Sequence, residues 1–249
     1  MAEIHPLIYK FPMRYPKINT LFMRDKFITV KRKGIIHEGI LSEEAFKTIK
    51  FWNVSEKIHG ENTRIYIDFI PGNLEPPHVW IGSRNDTDTP NINEDLLADI
   101  KTHLTEDALL RAFTNGSFST GNCPRHVMIF GEGFGGDIHH GHNYRDSPEF
   151  IVFDIVIDNW FLEYNSVADI SRKLNLQSVP IINKNMNTDD IVDYVKSQPD
   201  SIVANKSHVM EGVVATSSPL LLTRKGYPVR FKLKTKDFRD LDSVTETDH

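Results

Sequence analysis

The feature that most restricts the fold is an irregular succession of short strand-like runs. Residues 51–56 and 63–69 alternate apolar with polar positions and are rich in aromatic and β-branched types. Residues 79–84, 127–130, 149–157, 211–215 and 229–234 add further strand candidates. Between them lie the loops IPGNLEPPH (70–78) and NDTDTPN (85–91) and short helical stretches at 43–49, 166–174 and 188–197. In 94–112, Leu96, Leu97, Ile100 and Leu104 make one apolar stripe, which predicts a helix through the whole segment. The helix at 188–197 has Asn187 or Thr188 as cap, with Asp189 and Asp190 in the favourable first turn. Helices and strands do not take turns in a βαβ beat. The expectation is therefore an α+β fold of antiparallel sheets with flanking helices, formed by one domain over residues 1–249.

Composition narrows the function classes. No run of about 20 apolar residues occurs, and the N-terminus lacks the basic-then-apolar order of a secretory signal. A single cysteine, Cys123, excludes an internal disulfide and a CxxC metal pair. The expectation is a cytoplasmic protein with no membrane partner. The net charge of −5 argues against coating of nucleic acid, yet the charge is uneven. MRYPKINTLFMRDKFITVKRKG and TRKGYPVRFKLKTK are basic, which leaves room for local contact with a nucleic-acid end.

The chemistry gathers at a few positions. In a strand VRFKLK, Arg230, Lys232 and Lys234 share one face while Val229, Phe231 and Leu233 share the other. Such cations repel unless an anion or a carboxylate sits over them. Glu132, Asp154 and Glu211 border or interrupt apolar runs, where an acid is costly unless paired or liganding a metal. Lys57 stands at the junction of two strands in EKIHG, where a fixed amine could grip a phosphate or attack one. Acids and lysines in one cleft suit a nucleotide phosphate chain with Mg²⁺, because hard oxygen ligands fit that ion. GEGFGG (131–136) is neither GxGxxG nor a P-loop. His139, His140 and His142 are too close in sequence to close a tetrahedral metal site unaided, and a partly exposed, mobile loop near a nucleotide is expected there.

These segments resemble the motifs of the covalent nucleotidyltransferases, the superfamily of ATP-dependent DNA ligases, RNA ligases and capping enzymes. EKIHG matches KxxG with Lys57 as nucleophile, and the histidine at its third place, followed by ENT, is similar to the phage RNA ligase 2 and RNA-editing ligase type. GSR (82–84), FGEG (130–133), FIVFD (150–154), MEGVV (210–214) and FKLK (231–234) follow in the family's order, and RYPKINTLFMRD resembles the start of phage members. The resemblance implies a nucleotidyltransferase fold around an ATP cleft. It also implies an RNA ligase that joins 5′-phosphate and 3′-hydroxyl ends through lysyl-AMP and RNA-adenylate.

By that resemblance Lys57, Lys232 and Lys234 are catalytic, the last two neutralising charge on the α-phosphate. Glu56, Ile58, His59, Asn62, Arg84, Glu132, Phe153 and Glu211 surround the nucleotide together with Lys232 and Lys234. Phe153 is the adenine-stacking ring, and a bulge would reconcile it with Asp154, its strand neighbour. Glu56 positions adenine through side chain or backbone, Asn62 meets ribose or a phosphate oxygen, and His59 touches phosphates or orients another ligand. Glu132 and Glu211 hold Mg²⁺, with Mn²⁺ as a substitute, or else pair with the lysines. Gly60 lets the turn after the nucleophile come close to the nucleotide.

The chain departs from the family pattern after Lys234, where only 15 residues remain and neither an OB-fold nor a helical domain has room. The expectation is a minimal, monomeric ligase or a catalytic domain that acts with a separate end-binding or end-repair protein, in the host cytoplasm if a phage encodes it. A DNA nick ligase and a GTP-using capping enzyme are the alternatives within the superfamily. A non-catalytic RNA-end binding module is the alternative outside it.

Overall fold

The computed structural model describes residues 13–24, 36–70, 75–84, 91–114, 116–118, 123–139 and 143–238. In chain order its strands are β1 (Asn19–Thr20), β2 (Phe22–Arg24), β3 (Ile36–Leu41), β4 (Trp52–Glu56), β5 (Glu61–Asp68), β6 (His78–Ser83), β7 (His126–Phe134), β8 (Glu149–Ile157), β9 (Trp160–Phe161), β10 (Gln177–Ser178), β11 (Ile181–Met186), β12 (Gly212–Ser217) and β13 (Arg230–Lys234). The helices are α1 (Glu94–His103), α2 (Glu106–Phe113), α3 (Tyr164–Lys173) and α4 (Thr188–Lys196), and 3₁₀ turns cover Glu44–Lys47 and Thr235–Asp237. They form two compact units. The first comprises Lys17–Ile58, Pro180–Val203 and the described residues from Ser207 onward. The second comprises the described residues up to Pro16, His59–Val179 and Ala204–Lys206.

The first unit has a five-stranded sheet in the order β1-β13-β12-β4-β11 and a two-stranded sheet of β2 and β3. Strands β13, β12, β4 and β11 pair antiparallel, and β1 runs parallel to β13. Alternation decides which face is buried. Trp52 and Val54, Val213 and Ala215, and Phe231 and Leu233 all point to one side and are fully buried there, over Ile191 and Val195 of α4 and over Phe46. Each buried Val, Leu or Phe side chain among them stabilises by about 1.5–3 kcal/mol. The Trp52 and Phe231 rings meet edge to face with centroids 4.7 Å apart. Asn187 caps α4, its side-chain oxygen accepting from the Asp190 N–H at 2.9 Å.

The second unit has a sheet in the order β10-β8-β7-β5-β6, with β9 paired to β8. One face, with Ile65, Ile67, Val79, Ile81, Val127, Ile129 and Ile155, packs on Leu96, Ile100, Leu109, Val167 and Ile170 of the helices. The single helix expected over 94–112 is two helices. Leu104 leaves helical geometry at φ −95 and ψ 45. Thr105 then caps α2, its hydroxyl accepting from the Ala108 N–H at 3.3 Å, with Glu106 and Asp107 in the first turn. A threonine followed by two acids is a helix start, and this local cap overrides the continuous apolar stripe.

Strand β7 runs on through GEGF, so this glycine-rich stretch is sheet rather than phosphate loop. Opposite it β8 carries a bulge: Phe130 pairs with Asp154 and Gly131 with Val152, leaving Phe153 as the extra residue. Among the described residues no helix is long and apolar enough to cross a membrane.

Candidate active site

The register of the first unit's sheet lines up the residues singled out by the sequence. Lys57 follows β4 directly, and its backbone N–H donates to the Gly212 carbonyl at 2.9 Å. Gly212 is the register partner of Lys234, so Lys57, Gly212 and Lys234 make one row across three strands. Ser55, Val214 and Lys232 make the next, then Asn53, Thr216 and Arg230. All three rows lie on the face opposite the apolar core. Only glycine fits in the middle of the first row. At Gly212 φ is +154, and a Cβ would stand 2.0 Å from the Leu233 carbonyl oxygen.

Glu211 resolves the charge problem posed by these cations. Lys57 Nζ donates to its Oε2 at 2.5 Å, and Lys234 Nζ donates to its Oε1. Burial pushes the Glu211 carboxyl up, but Lys57 and Lys234 outweigh burial and hold it below the usual carboxylate range. Lys232 is pushed down to about 8, first by burial and then by the charges of Lys57 and Lys234, with Glu211 opposing. Three lysines thus face one carboxylate, a surplus of positive charge suited to a polyphosphate.

Glu56 stands apart from this group. It lies on the core-facing side of β4, where its carboxylate accepts from Ser201 Oγ at 2.5 Å and from the Ile202 N–H at 2.9 Å. Burial raises its pKa in spite of those donors. Its side chain fixes the loop at 201–203, which leaves its backbone as the part able to face a nucleotide. Ile58 is buried at the end of the same segment, and its carbonyl lies 3.4 Å from Lys57 Nζ.

The remaining candidates belong to the second unit. Asn62 on β5 and Glu132 on β7 are register partners and half-buried. The Asn62 side-chain oxygen is buried with no hydrogen-bond partner from the protein, an acceptor available to a ligand. Arg84 is exposed in the turn after β6. Phe153 is half-buried on the β8 bulge, the arrangement the sequence required if both it and Asp154 serve one site.

His59 stacks on His139, with centroids 5.8 Å apart and planes 9° from parallel. Ile138 and Tyr144 are buried on either side of the histidine run, while His139 is exposed; His140 and His142 lie outside the described residues. Gly60 has a structural reason of its own. A Cβ there would stand 2.0 Å from the Gly133 carbonyl oxygen, so glycine is required for β5 to start against β7.

Two participants escaped the sequence reading. Ser201 gave no signal. Tyr15, hydrogen-bonded to Asp154 at 2.5 Å, gave none locally, although an acid inside FIVFDIVI signals that some partner exists.

Among the described residues no three His, Cys, Asp or Glu side chains cluster as a protein-made metal cage. Mg²⁺ usually takes one or two carboxylates and completes its shell with phosphate and water. The two carboxylates singled out by the sequence lie one in each unit, Glu211 in the first and Glu132 in the second.

A family model described as RNA ligase matches residues 50–234. Comparison with curated proteins gives no match. The fold is shared with solved structures of a Naegleria gruberi RNA ligase. A mutant with ATP and Mn superposes at TM-score 0.55 and 17% identity over 88% of this chain and 59% of that one. A mutant with AMP and Mn gives TM-score 0.56 and 16% identity over 92% and 62%, and the enzyme with PPi gives 0.56 and 16% over 90% and 62%. The chain therefore spans about three-fifths of those proteins' length. The family match begins just before β4 and ends at Lys234, so it contains the entire row of lysines and glutamate: the chain belongs to the RNA ligase family.

Proposed function

We propose that the chain is an ATP-dependent RNA ligase that seals RNA 5′-phosphate and 3′-hydroxyl ends. The observation that carries this is Glu211 shared between Lys57 and Lys234, with Lys232 in the adjoining row. In the first step Lys57 leaves Glu211, gives its ammonium proton to water and attacks the α-phosphorus of ATP with the lone pair so freed. The N–P bond forms as the bond to pyrophosphate breaks. Lys232 and Lys234 hold the oxygens that gain charge in that transition state. An RNA 5′-phosphate oxygen then displaces Lys57 from the AMP, and the 3′-hydroxyl of a second end displaces AMP. Phe153 receives the adenine face, Asn62 an oxygen of the sugar or phosphate, and Glu56 acts through its backbone. Arg84 and His59 meet phosphates. Mg²⁺ or Mn²⁺, held by Glu132 and Glu211, would supply further neutralisation of phosphate charge.

We propose monomeric action in a cytoplasm, in line with the lone Cys123. The partner proposed for it is a separate end-binding or end-repair protein. The test is incubation with labelled ATP and Mg²⁺, where a protein adduct released by acid is expected. Equal labelling of a folded Lys57→Ala variant would sink the assignment. Strong preference for GTP, or for an all-DNA nick, would move it to another branch of the superfamily.

A further inference from the structure

The face of the second unit's sheet away from its helices carries two buried charged side chains. Arg64 is 1% exposed and Asp154 is 4% exposed. Such groups are costly to bury without partners. Both commit hydrogen bonds to the same short stretch of chain. Arg64 Nη1 donates to the Met13 carbonyl at 3.2 Å, while its Nε donates to the Ser83 carbonyl at 2.9 Å. Tyr15 Oη donates to Asp154 Oδ2 at 2.5 Å. Residues 13–15 are thus strapped to the sheet at two points.

The strap lands on the β8 bulge. The Tyr15 ring meets Phe153 edge to face, with centroids 4.8 Å apart and planes at 66°. It also lies 5.1 Å from Phe130, the residue opposite Asp154. A bulged residue has no register partner, so the ladder does not fix where its side chain points. Edge-to-face contact is directional and supplies what the ladder omits. Asp154, adjacent to Phe153, anchors the tyrosine that does this.

We propose that Tyr15 is a positioning residue that sets the Phe153 ring in the geometry that receives a nucleobase. It then governs affinity for the base and leaves affinity for phosphates unchanged. This rests on the reading of Phe153 as the base platform.

The test is calorimetric binding of AMP and of pyrophosphate, neither of which requires a covalent adduct. The proteins are the wild type, Tyr15→Ala, Tyr15→Phe, Phe153→Ala and the double variant Tyr15→Ala/Phe153→Ala. Tyr15→Ala should weaken AMP about tenfold, the upper end of what an aromatic contact provides. Pyrophosphate affinity should stay within about twofold, and in the Phe153→Ala background Tyr15→Ala should cost less than about twofold. Tyr15→Phe keeps the ring and loses the hydroxyl, so it should fall between wild type and Tyr15→Ala. It also carries the comparison if Tyr15→Ala fails to fold. Equal losses for AMP and pyrophosphate, or a Tyr15 effect that persists without Phe153, would overturn the proposal. So would a wild type that binds pyrophosphate and not AMP. A wild type that binds AMP through Phe153 but forms no labelled adduct would sink the ligase reading and leave this one standing. Binding of neither ligand would overturn both.

Discussion

Lys232 should take up a proton when an anion binds. Its pKa of about 8 in the free protein stems from burial and from Lys57 and Lys234. A phosphate oxygen over the lysine row favours the ammonium form and returns the group towards its ordinary value. At a pH between the two values the free amine is partly neutral and the bound one is charged. Uptake at this residue should be about 0.1 proton at pH 7, about 0.5 at pH 8 and about 0.9 at pH 9. The same linkage makes affinity fall as pH rises, steepening towards about tenfold per unit above pH 8. The assay is titration with pyrophosphate in Tris and in HEPES, whose ionisation enthalpies differ, so that the difference in heat counts protons. Pyrophosphate titrates too, and a Lys232→Met variant with the same ligand subtracts that contribution. Equal uptake by wild type and Lys232→Met at pH 8 would refute the reasoning.

Single-turnover adenylylation of alanine variants should rank Lys232 as nearly abolished, Lys234 as severe and Arg230 as mild; equal small losses would mean a generic basic surface. Gly60→Ala forces a Cβ onto the Gly133 carbonyl, and it should lower urea stability by about 1–3 kcal/mol. Glu56 has a raised pKa, so its contribution to stability is full below about 4.5 and declines as pH rises through the raised value. Glu56→Gln should remove that slope from a series of thermal melts, and an unchanged slope would assign it elsewhere. Asn187→Ala removes the α4 cap and should cost about 0.5–2 kcal/mol in chemical unfolding.

What the sequence made readable was what alternation and local chemistry encode. The segment 149–157 is the observed β8 residue for residue, and the split of VRFKLK into a buried and a charged face holds. The bulge at Phe153 followed from asking that two adjacent strand residues serve one site. The break at Leu104–Thr105 was readable too, since Thr105 followed by Glu106 and Asp107 is a helix cap, but the apolar stripe hid it. Strands β1, β2 and β10 are two or three residues long and carry no period to detect. The edge strand β11 includes Asn183, Lys184 and Asn185 and pairs with register shifts, so neither composition nor alternation marks it. The face of Glu56 was readable, since it shares the parity of Trp52 and Val54 in the strand. The donors that satisfy it there, Ser201 and the Ile202 N–H, were not, because they lie about 145 positions away. Tyr15 lay inside the segment RYPKINTLFMRD, but its role was not readable because its partner is 139 positions away.

The row of Lys57, Gly212 and Lys234 also governs when the chemistry can first exist. Glu211 reaches Lys57 across 154 residues of chain, and the sheet that aligns them needs β13, among the last described elements. A nascent chain emerges at about 5–20 residues per second. Lys57 therefore precedes its counter-ion and its neighbouring cations by about 8–35 seconds of synthesis. During that interval the Lys57 amine has neither Glu211 nor the other two lysines beside it. Pairings of such long sequence separation form late and slowly. Under the ligase reading proposed above, a chain laid out in this way cannot load itself with nucleotide before its own synthesis has passed Lys234.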